Sequence, residues 1–84
     1  MSKYLVITIR TPKFQESVIE NHYRFLDQLR IEGKLEVAGP FTDKSGGAYI
    51  LKAKDLTEAK TVAYQDPVHT TGSSIVTIYE WNAT

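Results

Sequence analysis

Two side chains far apart in this sequence could share one piece of chemistry. His22 offers an imidazole and Asp66 a carboxylate. An imidazole, with an ordinary pKa of about 6.5, takes up and returns protons near neutrality, which suits a general acid or base. A carboxylate beside it would orient the ring and stabilise its charged form. Each residue also has a plainer reading. His22 sits within an apolar helical stripe, where a buried histidine held by one hydrogen bond is the commoner case. Asp66 precedes Pro67, and aspartate in a turn often bonds to nearby backbone amides. The shared role needs the two segments side by side, and both readings stay open at this stage.

Other residues could complete such a site. Ala38-Gly39-Pro40-Phe41 and Gly46-Gly47-Ala48-Tyr49-Ile50-Leu51 read as the two arms of a hairpin. Gly39 would keep one patch of sheet free of side chain and leave room for a ligand, with Pro40 and Phe41 beside it. Arg10 ends a strand and could meet an anionic group. Arg24 follows His22 by two positions and so points to another helical face. Most surface arginines are simply solvated. The expected catalytic pair is therefore His22 and Asp66, with Gly39, Pro40, Phe41 and Arg10 as ligand-binding candidates. His69 lies among threonines, and its spacing from the pair matches no metal-ligand signature, so neither a metal nor a cofactor is expected. The glycines do not form a phosphate loop, because they open no helix and no lysine follows at the required offset. Tyr23, Tyr49 and Tyr64 read as packing residues.

The elements that must position these groups follow from periodicity. Tyr4 to Arg10 is rich in β-branched and aromatic residues and reads as a strand, ended by Thr11-Pro12. Phe14, Val18, His22, Phe25 and Leu29 fall on one helical face. That helix could start from a Thr11 cap and Pro12, and it stops at Gly33. Leu35 to Phe41 is a second strand, with Gly39-Pro40 at an edge, bulge or strand end. Thr42 to Gly47 is a turn and Ala48 to Ala53 a third strand. Asp55 with Glu58 caps a second helix, which should stop near Gln65 before Pro67. Val68 to Gly72 reads as a loop and Ser74 to Trp81 as the fourth strand. The order βαββαβ is that of an α+β, ferredoxin-like domain spanning residues 1–84: a four-stranded antiparallel sheet with two helices on one face.

The strands are apolar on both sides. Leu5, Ile7 and Ile9 oppose Tyr4, Val6 and Thr8, and Ile75, Thr77, Tyr79 and Trp81 oppose Val76 and Ile78. Two helices cover one sheet face, so the other would carry a hydrophobic patch of the kind that marks an interface. A homodimer pairing sheet against sheet is the simplest solution.

Bulk composition narrows the function. Ten basic and ten acidic residues cancel, which counts against a nucleic-acid footprint. An RNA-recognition motif shares the βαββαβ order, but it needs aromatics where this chain has Gly47 and Lys52. Cysteine is absent, which removes thiolate nucleophiles and disulfides. The opening Met1-Ser2-Lys3-Tyr4 leads straight into a strand pattern, and no apolar run approaches a membrane span. The expected setting is cytoplasmic, with no membrane partner.

Taken together, His22-Tyr23 with Leu26, Ala38-Gly39-Pro40-Phe41, the Gly46-Gly47 turn, and Asp66-Pro67 followed by Gly72 resemble the YciI-like proteins of the dimeric α/β-barrel superfamily. The resemblance covers nearly the whole chain. It implies a ferredoxin-like protomer paired through its sheet, and a His–Asp pair in a cleft carried here by His22 and Asp66. The family includes a dehydrochlorinase of a chlorinated hydroxyquinol, and related barrels include isomerases and cofactor-free monooxygenases. Many relatives carry arginine three residues before the histidine, where this chain has Ile19. Arg10 could replace it. Two functions are expected to compete: a small-molecule lyase or isomerase that uses the pair for proton transfer without a cofactor, and a non-catalytic ligand-binding or assembly module.

Overall fold

A computed structural model describes all 84 residues, Met1–Thr84. The chain forms β1 (Ser2–Arg10), α1 (Val18–Ile31), β2 (Leu35–Pro40), β3 (Gly46–Ala53), α2 (Leu56–Ala63), α3 (Pro67–Thr70) and β4 (Ser74–Trp81). The sheet runs β2-β3-β1-β4 with every neighbouring pair antiparallel. This is the ferredoxin-like α+β fold. No helix is long and apolar enough to cross a membrane.

Alternation along the strands sorts side chains between the two faces. Tyr4, Val6, Tyr49, Leu51, Ala53 and Val76 join Val18, Leu26 and Leu29 of α1, Ala59 and Ala63 of α2 and Val68 of α3 in one core. The opposite face keeps Ile9, Val37, Ile75, Tyr79 and Trp81 exposed. Pro40 ends β2, an edge strand, where its missing N–H interrupts no ladder.

The first helix starts four residues later than Phe14. The Thr11 hydroxyl accepts from Lys13 N–H at 3.1 Å and donates to the Gly72 carbonyl at 2.8 Å, which ties this segment to the loop before β4 instead of capping α1. Ser17 holds the cap position without a side-chain hydrogen bond. Phe14 still packs on the core from the preceding turn. The C-terminus behaves as expected. Gly33 takes φ +75°, with Gly33 N–H on the Arg30 carbonyl at 3.1 Å and Lys34 N–H on the Leu29 carbonyl at 2.9 Å, a Schellman ending.

The other differences are also local. Asp55 accepts from Glu58 N–H at 2.8 Å, as the capping pattern predicts, but α2 ends at Ala63 rather than near Gln65. The segment read as a loop from Val68 contains the short helix α3. Pro67 occupies its first turn, where proline's fixed φ is already helical, and Asp66 caps it by accepting from Val68 N–H at 3.0 Å.

Gly46 marks a point of close approach between β1 and β3. A Cβ there would lie 1.8 Å from the Thr8 carbonyl oxygen, whereas one at Gly39 would meet nothing within 4 Å. Gly46→Ala is therefore expected to cost about 3 kcal/mol in urea unfolding, because two backbones must part. Gly39→Ala should stay within about 0.5 kcal/mol of wild type.

Candidate functional site

The inserted helix decides what becomes of Asp66. As the α3 cap it points inward and is 0% exposed. Its Oδ1 accepts from Val68 N–H at 3.0 Å and lies 2.8 Å from His22 Nδ1. Its Oδ2 accepts from the Tyr49 hydroxyl at 3.4 Å. Three elements thus meet at one carboxylate: α1 through His22, β3 through Tyr49 and α3 through its own first turn. The turn role and the histidine partnership expected separately for Asp66 are both present, because one carboxylate has lone pairs enough for three donors.

The geometry assigns the histidine tautomer. An ionised carboxylate can only accept, so Nδ1 carries a proton, and in the neutral ring Nε2 is the nitrogen with the lone pair. The His22 side chain keeps 19% of its surface exposed, and the ring lines a cavity of about 70 Å³ between α1 and the sheet. Thr8, Arg10, Ile19, Pro40 and Gly47 line it too. Gly47 belongs there for a steric reason: a Cβ on it would come within 2.7 Å of the Gly39 carbonyl oxygen. The Arg10 guanidinium stacks 4.1 Å over the Phe14 ring, a cation–π contact that restrains the side chain.

The ligand-binding candidates divide between two hollows. Gly39, Pro40 and Arg10 line the His22 cavity. Phe41 lines a second hollow of about 370 Å³ on the open sheet face, with Leu5, Val37 and Trp81, and Gly39 and Pro40 border both. His69 lies apart, stacked on Tyr64 at 4.5 Å with its Nδ1 3.0 Å from the Tyr64 carbonyl. No cluster of three or more His, Asp or Glu side chains is arranged to hold a metal ion.

Tyr49 is the site residue that sequence reasoning took for packing alone. Burial first, and then the adjacent Asp66 charge, push its phenol well above the usual tyrosine value. Because the folded-state value is raised, the stability linked to Tyr49 is present below about pH 10 and is lost as pH rises beyond it, where the unfolded chain sheds a proton that the folded chain keeps. The urea midpoint should fall above about pH 10, and Tyr49→Phe should lessen that fall.

Comparison with known proteins agrees with this architecture. Residues 2–82 match the model of the YCII-related domain. The uncharacterized protein YjpA of Bacillus subtilis (strain 168) is 46% identical over 81 residues, covering 96% of this chain and 95% of that protein. Among solved structures, 5-chloro-2-hydroxyhydroquinone dehydrochlorinase (TftG) from Burkholderia phenoliruptrix AC1100, in complex with 2,5-dihydroxybenzoquinone, superposes with a TM-score of 0.77. That match covers 98% of this chain and 95% of TftG at 21% identity, so it speaks for the fold. With a family match over nearly its whole length, the chain belongs to the YCII-related domain family.

Proposed function

We propose that this protein is a small-molecule enzyme of lyase or isomerase type, in which His22 Nε2 accepts and returns a proton and Asp66 holds the ring. The carrying observation is the 2.8 Å contact between His22 Nδ1 and a carboxylate that is 0% exposed. That contact commits one ring nitrogen and leaves the other as the base. Proton transfer of this kind asks for no resident cofactor. The dehydrochlorinase activity in the name of the structural neighbour, a loss of HCl that includes removal of a proton, supports the same reaction class. Gly39, Pro40 and Arg10 would contact the substrate, and Phe41 would reach only the part of a ligand that extends around the β2 edge.

Deuterium exchange tests the reading. In D₂O the wild-type protein should speed deuterium entry at the acidic carbon of one or more small enolisable ketones and hydroxyaromatics. His22→Gln should not. Binding of these compounds with no acceleration would make the protein a binding module and end the enzyme reading.

The assembly part of the reading is a homodimer through the open sheet face. Exposed Ile75, Tyr79 and Trp81 on one edge strand, with Ile9 and Val37 beyond, support it, because a water-facing sheet would alternate apolar with polar residues. Light scattering should give twice the chain mass for wild type. The pair Ile75→Lys with Tyr79→Lys should give the single-chain mass with the fold retained, and a wild-type monomer at micromolar concentration would remove the dimer.

A further inference from the structure

We infer that the His22 cavity selects small anions, binding a carboxylate or enolate oxygen at Arg10 while the body of the ligand lies against His22. This inference rests on the proposal that the cavity is a substrate site, and it names the class of molecule that site takes.

The first support is the charge of the cavity wall. Arg10 is the one residue in the lining with a permanent charge, and no Asp or Glu lines the cavity. Asp66, which reaches the site through His22, is fully buried and occupied by three donors. A ligand in the cavity therefore meets an uncompensated guanidinium.

The second support is the way Arg10 is held. Arg24 and Arg30 on α1 are tied to Glu20 and Asp27. Arg10 has no carboxylate partner, and its guanidinium carbon instead sits 4.1 Å over the centre of the Phe14 ring. Stacking uses the flat face of a guanidinium and leaves its N–H edge free to donate in the plane. That edge is the geometry that grips a carboxylate with two parallel hydrogen bonds. The contact with Phe14 also reduces the rotamer freedom lost when a ligand binds.

The third support is the neutral polar lining. Thr8 and Ser74 add uncharged polar residues to the same lining, with the Thr8 hydroxyl donating to the Gly47 carbonyl at 3.3 Å. Ile19, Phe14 and Leu26 supply the apolar side. A molecule with one anionic end and a flat apolar body fits both halves, and an uncharged molecule of the same shape uses only one of them.

Benzoate and benzamide make the test, since they share shape and differ in charge. Binding is followed by chemical shifts of the His22 ring nitrogens and of the Arg10 Nε–H. Benzoate should perturb both residues and bind roughly tenfold tighter than benzamide. Added sodium chloride should narrow that gap, because Arg10 is exposed and salt screens it. Arg10→Gln should abolish the preference, and Arg30→Gln, on the exposed face of α1, should leave it intact. Equal binding of the two probes, a preference that survives in Arg10→Gln, or no perturbation by either probe overturns the inference. The same spectra report the His22 tautomer separately. A proton on Nδ1 with no charge preference would sink the anion inference and leave the proton-transfer reading standing, whereas a proton on Nε2 in the wild-type protein would sink the latter.

Discussion

Asp66→Ala is expected to destabilise the protein by about 3–5 kcal/mol, because three donors lose their acceptor at once. Asp66 is 0% exposed and accepts from His22, Val68 N–H and the Tyr49 hydroxyl. Alanine strands all three donors in a site too tight for solvent to replace every bond, and each stranded donor costs on the order of 1–3 kcal/mol. It also removes the side-chain cap of α3, leaving Pro67 alone to favour the first turn of that four-residue helix. Asp66→Asn is the finer probe. The amide oxygen can keep the Val68 bond, but the amide nitrogen must then take the place of Oδ2, or the reverse. In the second arrangement an N–H₂ group faces His22 Nδ1, and the ring must move its proton to Nε2. Asparagine should therefore cost less stability, about 1–3 kcal/mol. Urea unfolding measures both losses, and ¹⁵N shifts of the ring nitrogens identify the tautomer. An Asp66→Ala protein as stable as wild type would show that the carboxylate is solvated and holds nothing.

Why such a pair exists in so small a protein follows from the elements around it. Burying a carboxylate is costly unless donors replace its water. The chain supplies those donors from three directions at once, and one of them, Tyr49, belongs to the core. Tyr49 lies on the helix-facing side of β3 between positions that hold Gly47 and Leu51, and His22 reaches Asp66 from α1 at the cavity wall. The third donor is the backbone of the turn that Asp66 itself begins. The polar cluster therefore also sets where α3 docks against α1, which links the site to the packing of the fold.

Much of this was legible in the sequence, for identifiable reasons. The strands and α1 carry strong periodicities, and those periodicities depend on burial that the fold supplies. The stop at Gly33 was legible because its positive φ is a property of that residue alone. The start of α1 was not, because Thr11 was read as a cap and its hydroxyl instead bonds to the Gly72 carbonyl, 61 residues away. A bond of that range leaves no local mark. Asp66-Pro67 was read as a stop signal, which it is for α2, but the same two residues are a start signal for α3. The reading of Val68 to Gly72 as a loop misses that start. The proximity of His22 and Asp66 was legible only as a consequence of topology, since the chain after the second helix returns over the sheet face that α1 covers, and the contact itself comes from the cap of α3. The inward placement of Tyr49 has a sequence signal: alternation in β3 puts it on the same face as Leu51, beneath the helices.

His22→Gln is expected to lower any proton-transfer rate by about 10²–10⁴, the usual contribution of a positioned general base, while leaving the fold within about 1 kcal/mol of wild type. The two halves of that statement come from different atoms. Glutamine can place an amide N–H near Asp66 Oδ1 and so preserve the bond that His22 Nδ1 makes at 2.8 Å. It cannot supply a basic nitrogen at the position of Nε2, because an amide does not take up a proton near neutrality. Structural and catalytic roles are thereby separated in one variant, which alanine would not achieve, since it also strands the buried carboxylate. The readout is the rate of deuterium entry into an enolisable compound in D₂O, with urea unfolding run alongside. A preserved rate would move the base elsewhere and reduce His22 to a core histidine. A lost rate in a protein that also unfolds early would indicate that glutamine failed to hold Asp66, and His22→Asn, with its shorter amide, then gives a second measure of how much rate follows stability. A lost rate with stability intact leaves the imidazole itself as the group that moves the proton.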